Sequence, residues 1–310
     1  MNSPTETKPE ISIVIPVYNE ERNLRLLWER LGPAAQNLGG AYEIIFIDDG
    51  SGDHSLEILK ELRQAHPEIR ILKLRRNYGQ HPATIAGFEH ARGKWVLTLD
   101  ADLQNHPEDL SLILNKLREG HEIVSGVRVG RKDSFLRRKL PSKIVNRFIA
   151  KRTGFVQTDT GCFLKGYTLE AAREVGQYTD VGGFITATIG TLGFKYAEVP
   201  IQHQERLHGT SRYNFFAQLD QVMAIFTGYA RRPFQIIEII GFLIVCCGML
   251  VALLALFRWL TPRSIHALLG VILSTAGLIL GSVGIVGEFV LRTLRITRNY
   301  PRYLISEIIG

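Results

Sequence analysis

Two stretches near the end of the chain, Ile239 to Phe257 and Ala267 to Gly287, contain no charged residue, and they restrict the fold more than any other part of the sequence. At a rise of 1.5 Å per residue, helices of about 20 apolar residues match a hydrocarbon core of about 30 Å, so the pair predicts a transmembrane hairpin. A buried helical pair is the alternative. The flanks favour the membrane, with Arg231 and Arg232 before the first run, Arg292, Arg295, Arg298 and Arg302 after the second, and only Arg258 and Arg263 between them. Positive-inside weighting puts both termini on the cytoplasmic side. Just upstream, Phe215, Leu219, Val222 and Phe226 make an apolar stripe at helical spacing, either an interfacial helix leading into the bilayer or core packing.

The preceding two-thirds is polar on average and alternates strand and helix signals. Ile11 to Pro16, Tyr42 to Ile47, Ile69 to Leu74, Lys94 to Leu99 and Glu122 to Gly126 read as short buried strands. Helical spacing predicts helices over Asn23 to Leu31, through Leu56, Leu59 and Leu62, over Thr84 to Ala91, and from Asp109 to Glu119. This alternation predicts an α/β fold with a doubly wound, mostly parallel sheet whose ligand site lies at the carboxyl ends of the strands. Those ends carry acids: Asp48 and Asp49 after the second strand, Asp100 and Asp102 after the fourth. Two Asp residues spaced i, i+2, with Gln104 adding a neutral oxygen, suit a hard divalent cation and a diphosphate. On the residues alone, a solvated turn is the competing reading.

Neither Gly-x-Gly-x-x-Gly after the first strand nor Gly-x-x-x-x-Gly-Lys anywhere is present, which disfavours dinucleotide and P-loop sites. Cys162, Cys246 and Cys247 give neither a disulfide framework nor a metal spacing. The formal charge of +7 asks for an anionic partner. Much of it lies between Arg128 and Arg152, where Lys139, Lys143, Arg147 and Lys151 share a helical face beside Leu140, Ile144, Phe148 and Ile149. A basic amphipathic helix of this kind lies on an anionic membrane surface, or is an ordinary solvated helix. No stripe of interleaved aromatic and basic residues supports nucleic-acid binding. Met1 to Pro9 has no apolar core, so no secretory signal is expected there. The resulting division is a cytosolic catalytic domain over 1–212, a juxtamembrane helix over 213–232, a hairpin over 233–292 and a cytosolic tail over 293–310.

Four motifs in order, Pro16-Val17-Tyr18-Asn19-Glu20, Asp48-Asp49-Gly50-Ser51, Asp100-Ala101-Asp102-Leu103-Gln104 and Arg206-x-x-Gly209-x-Ser211-Arg212, resemble the family 2 glycosyltransferases that act on polyprenyl phosphates, a group including dolichyl-phosphate mannose synthases. Within it, Arg76-Asn77-Tyr78-Gly79-Gln80-His81, Asp133-Ser134, Ser142-Lys143, Asn146-Arg147, Thr153-Gly154, Gly161-Cys162 and Pro301-Arg302-Tyr303 are similar to the undecaprenyl-phosphate 4-deoxy-4-formamido-L-arabinose transferases. The chain departs from the pattern at His106, where a second Pro is common, and at Arg212, where Lys is usual.

The resemblance implies a GT-A fold, a Mg²⁺ or Mn²⁺ ion, inversion at the anomeric carbon and a place in the bacterial inner membrane. It implies that Pro16, Tyr18, Glu20, Asp48, Asp49 and Ser51 surround the base and ribose of a nucleotide-sugar, most simply a UDP-sugar. Asp100, Asp102 and Gln104 would hold the metal. Arg128, Arg138 and Ser142 match acceptor-phosphate positions, and Arg206 and Ser211 match phosphate-binding positions. Asp159 sits where the family has an acid proposed as a base. A phosphomonoester is largely ionised at neutral pH, so an orienting role for Asp159 is the better expectation. Assembly into homo-oligomers through the membrane helices is compatible with the resemblance. The sugar is 4-deoxy-4-formamido-L-arabinose or, alternatively, glucose, mannose or a galactose derivative. Among rivals, a processive polysaccharide synthase lacks its Gln-x-x-Arg-Trp here, and a non-catalytic scaffold or pore subunit does not explain the intact Asp100, Asp102 and Arg206.

Overall fold

The computed structural model describes residues 8–129, 157–159, 161–179, 185–202, 204 and 301–310, with scattered helical positions between 272 and 297. Contacts divide the chain into two compact units, one of Met1–Asn214 with Pro301–Gly310 and one of Phe215–Tyr300.

The first unit is built on an eight-stranded sheet of order β7-β5-β6-β4-β1-β2-β3-β8. Its centre is parallel: β1 (Ile11–Val17) pairs with β2 (Tyr42–Asp48) and β4 (Trp95–Thr98), and β2 pairs with β3 (Ile69–Leu74). These strands are near-continuous apolar runs because both faces are covered. One face, with Ile13, Ile15 and Phe46, packs under α1 (Leu24–Gln36), α2 (Ser55–Ala65) and α4 (Leu110–Arg118). The other, with Val14, Ile45 and Ile47, packs under α3 (Gln80–His90), α5 (Leu169–Tyr178) and α6 (Ile185–Leu192). A short 3-10 turn, Pro107–Asp109, leads into α4.

The sheet is more mixed than the sequence predicts. Strand β6 (Lys165–Thr168) runs antiparallel between β4 and β5 (Ile123–Arg128), while β5 runs parallel to β7 (Tyr196–Ile201). Four residues beginning with Lys and containing Gly carry little strand signal. The glycine has a packing reason, since a Cβ at Gly166 would stand 2.5 Å from Ile113 Cγ2 of α4. Residues 305–309 are the second departure. The sequence reading sets 293–310 apart as a tail, whereas Ile305–Ile309 forms β8, antiparallel to β3 and part of the first unit.

Two helices outrun their expected bounds. Helix α1 passes through Pro33 to Gln36, because burial of Ala34 and Ala35 outweighs one missing hydrogen bond. Helix α3 starts at Gln80 rather than Thr84, and its Pro82 falls in the first turn, where no N–H is needed.

Among the described residues no helix is long and apolar enough to cross a membrane. The first apolar run, the basic segment 130–152 and the stripe from Phe215 to Phe226 lie outside them. Of the second run and the residues after it, Ile272, Ile279, Val283, Val286, Phe289 and Val290 are helical and exposed.

Candidate active site

The acids gather at the carboxyl edge of the parallel strands because the register puts them there. Val17 pairs with Asp48, and Asp49 N–H donates to the Val17 carbonyl at 2.8 Å. The loop after β1 is then stapled to the turn after β2. Asn19, at φ 54, donates its N–H to Ser51 Oγ at 3.0 Å and accepts from Gly52 N–H at 2.7 Å. Glu20 N–H donates to Ser55 Oγ at 2.8 Å, and Ser51 N–H to Asp48 Oδ1 at 3.1 Å. Pro16, Tyr18, Glu20, Asp48, Asp49 and Ser51 therefore lie together on two adjacent strand ends, with Pro16 inside β1 opposite Ile47.

Asp48 is buried, and its Oδ2 has no hydrogen-bond partner among the described residues. Such an atom is an acceptor prepared for an N–H or O–H of a ligand. Burial pushes its carboxyl above the usual range, against the Ser51 bonds that pull it down. Asp49 faces the other way and accepts the N–H groups of Tyr78 and Gly79 at 2.7 and 2.8 Å. Burial still dominates and raises its pKa from 3.8 to about 6. The sign of the linkage follows. The folded chain holds a proton here that the unfolded chain releases, so the associated stability is complete below about pH 4 and lost as pH rises through about 6. Relative to Asp49→Asn, whose side chain does not titrate, the free protein should lose up to about 3 kcal/mol between those limits and then level off. Urea unfolding of both proteins from pH 4 to 7 checks this; a pH-independent difference would remove the raised pKa.

The second acid pair lies beyond β4. Asp100 Oδ1 accepts from Gln80 Nε2 at 2.6 Å, which ties the metal-type pair to the first residue of α3. Asp102 is buried, and its Oδ1 accepts the Gln104 N–H at 3.1 Å across Leu103, at φ 62. That turn brings Gln104 to the same edge as the two carboxylates. The donor set is all oxygen with two negative charges, which fits a hard divalent cation. Among the described residues no cluster of three or more His, Cys, Asp or Glu residues makes a metal site of another kind. The Gln204 N–H donates to the Gln104 carbonyl at 3.0 Å, at this turn.

Arg128, the last residue of β5, donates from Nε to Asp159 Oδ2 at 2.6 Å and from Nη2 to Oδ1 at 2.7 Å. Main-chain N–H groups of Arg128 and Gly161 also donate to this carboxylate, at 3.3 and 3.2 Å. Burial disfavours the Arg128 charge, but the Asp159 bonds and charge outweigh it and raise its pKa further. The negative charge of Asp100 acts in the same direction, which places Arg128 within the field of the second acid pair. Sequence reasoning named Arg128 and Asp159 separately, and the structure joins them in one bidentate pair.

Behind that pair lies a buried polar group centred on Lys165. Lys165, buried at the start of β6, donates to Ser125 Oγ at 2.7 Å. Gln157 Nε2 reaches the same oxygen at 3.3 Å and the Asp159 carbonyl at 3.4 Å. His81 is half-buried near Lys165, with its Nδ1 enclosed, and desolvation with that charge lowers its pKa to about 4, so the ring is neutral at physiological pH. Arg138, Ser142, Arg206 and Ser211 lie outside the described residues.

The profile of the family described as glycosyl transferase family 2 matches residues 12–176, more than half of the chain. The chain belongs to glycosyl transferase family 2. Both acid pairs, Arg128, Asp159 and the buried Lys165 fall within the matched segment. This family 2 glycosyltransferase also resembles solved structures. A mycobacterial protein is 19% identical, with 71% of this chain and 74% of that one covered at a TM-score of 0.54. Glucosyl-3-phosphoglycerate synthase from Mycobacterium tuberculosis, in complex with uridine diphosphate, is 18% identical, with 73% and 86% covered at a TM-score of 0.51. At such identities the likeness is one of fold.

Proposed function

We propose that this glycosyltransferase moves a sugar from a UDP-sugar to a polyprenyl phosphate, undecaprenyl phosphate in a bacterium, at the cytoplasmic face of the inner membrane. The observation that carries the acceptor is the outward-facing apolar helix surface of Ile272, Ile279, Val283, Val286, Phe289 and Val290. A helix in water turns such residues inward, whereas a helix in lipid has no reason to. The uncharged runs Ile239 to Phe257 and Ala267 to Gly287 support the same reading. So does the course of the chain, which leaves the catalytic unit after Asn214 and rejoins it at Pro301, as a hairpin of two crossings requires.

The chemistry follows from the site. Asp48, whose buried Oδ2 has no partner among the described residues, and the Tyr18 to Glu20 loop receive the base and ribose. Asp100, Asp102 and Gln104 would hold Mg²⁺ or Mn²⁺, which neutralises the leaving diphosphate. Arg128, oriented by Asp159, binds the acceptor phosphate, whose ionised oxygen attacks the anomeric carbon from the face opposite the departing UDP. The C–O bond to the donor breaks as the new one forms, the electron pair leaves with UDP, and configuration inverts. No proton needs to be removed from an already ionised nucleophile. Selectivity among 4-deoxy-4-formamido-L-arabinose, glucose, mannose and galactose derivatives would fall to loop residues such as His81.

Incubating the purified full chain with undecaprenyl phosphate, Mn²⁺ and a panel of UDP-sugars, with lipid product detected by mass, tests this. One sugar is expected to give a lipid-linked monophosphate product. Transfer to a soluble phosphate ester, with none to the lipid, would overturn the acceptor.

A further inference from the structure

The segment Arg75 to Gln80 touches both acid pairs, and its body is held from three sides. Gly50, at φ 69 in the turn after β2, lies so close that a Cβ there would stand 2.6 Å from the Arg76 carbonyl carbon. Tyr78 and Gly79 give their N–H groups to Asp49, and Gln80 gives its amide to Asp100. Its head is held by neither pair. There the Arg75 N–H donates to the Leu304 carbonyl at 2.9 Å, immediately past a register shift in the β3–β8 ladder at Lys73 and Leu74.

Residues 302–307 are fastened well beyond that ladder. The Arg302 guanidinium donates to the Gly176 and Gln177 carbonyls in the last turn of α5, where unpaired carbonyls and the helix dipole favour a cation. The Tyr303 hydroxyl donates to Glu89 near the end of α3. Ser306 Oγ donates to the Lys73 carbonyl at 3.0 Å, and Lys60 of α2 lies 3.7 Å from Glu307. A strand that only closed a sheet edge would need the ladder alone. This one is pinned to three helices and ends its pairing on the first residue of the segment whose N–H groups hold Asp49.

We propose that Arg302, Tyr303 and β8 are positioning residues for the nucleotide donor: they clasp the head of the Arg75 to Gln80 segment and thereby hold Asp49 and Asp100 in their binding geometry. The inference rests on the reading of this edge as a UDP-sugar site. Without the clasp the head of the segment loses its anchor and only the body stays held, by Gly50 and the two acid pairs, so its competent arrangement becomes one among several. Apparent affinity falls in proportion to that population.

The test uses full-length protein carrying Arg302→Ala with Tyr303→Phe, and a second variant lacking residues 304–310. Each is compared with the wild type for UDP binding in Mn²⁺ by titration calorimetry, and for hydrogen exchange at the Tyr78 and Gly79 amides. Both variants are expected to bind UDP about tenfold more weakly and to exchange those two amides faster, with the acceptor KM unchanged. A loss of melting temperature with UDP affinity and both amides unaltered would reduce the strand to a purely structural role and overturn the proposal. Should the deletion fail to fold, the double substitution decides alone. Failure of the wild type itself to bind UDP would remove the donor reading, and this inference with it; wild-type binding matched by both variants removes the inference only.

Discussion

Asp102→Asn should reduce turnover by about 10²- to 10³-fold while leaving the protein folded. The substitution is chosen because the Asp102 Oδ1 accepts the Gln104 N–H across a residue at φ 62, and an amide oxygen can keep that bond. Only the charge is lost. A hard cation bound by two carboxylates and neutral oxygens loses half its protein charge, and metal stabilisation of a departing phosphate supplies several kcal/mol in the transition state. A deficit of about 3 to 4 kcal/mol corresponds to the stated factor. UDP affinity in Mn²⁺ should fall, UDP affinity in chelator should not, and the melting temperature should stay within a few degrees. Wild-type turnover in this variant would remove Asp102 from the metal set.

The parallel half of the fold was legible because its signals are local. Apolar runs such as Ile11 to Val17 and Ile44 to Ile47 are long, β-branched and closed by acids, and each lies in a strand whose end carries part of the site. The antiparallel strands were not legible. Lys165 to Thr168 holds a buried lysine and a glycine that exists to admit α4, so its pattern reports packing partners distant in sequence. β8 has the right composition in Ile305-Ser306-Glu307-Ile308-Ile309, but its partner β3 is more than two hundred residues away in the chain.

The site divides along the same line. Asp48, Asp49, Asp100 and Asp102 announce themselves by residue type and position after a strand. The links between them do not. Gln80 on Asp100, Tyr78 and Gly79 on Asp49, and Lys165 on Ser125 are tertiary bonds made by residues whose types have no single chemical meaning. The motif Arg76-Asn77-Tyr78-Gly79-Gln80-His81 marked the segment without saying what it does. The structure gives it a role as the joint between the two acid pairs, through its main-chain N–H groups and one amide.

On the acceptor proposed above, Arg128→Ala should raise the KM for polyprenyl phosphate by about 10- to 100-fold, the range for hydrogen bonds made to a charged group, with UDP affinity changed less than twofold. It should also cost stability. The Arg128 and Asp159 side chains are 10% and 12% exposed, and removing one partner of a buried pair leaves an uncompensated charge, a loss of about 3 kcal/mol. Asp159→Asn separates the two effects, because the guanidinium and an acceptor oxygen both remain. If Asp159 orients Arg128, the variant loses about tenfold in kcat/KM for the acceptor and keeps the shape of the wild-type pH profile. The acid limb of that profile, near pH 6, belongs to the second ionisation of the acceptor phosphate and persists when the carboxylate is gone. If Asp159 were instead the base, the loss would fall on kcat, and a limb of the profile would vanish with the carboxylate. The four hydrogen bonds that Asp159 accepts, two of them from the Arg128 side chain, favour the first outcome: both carboxylate oxygens are already committed to holding Arg128 and the adjacent main chain.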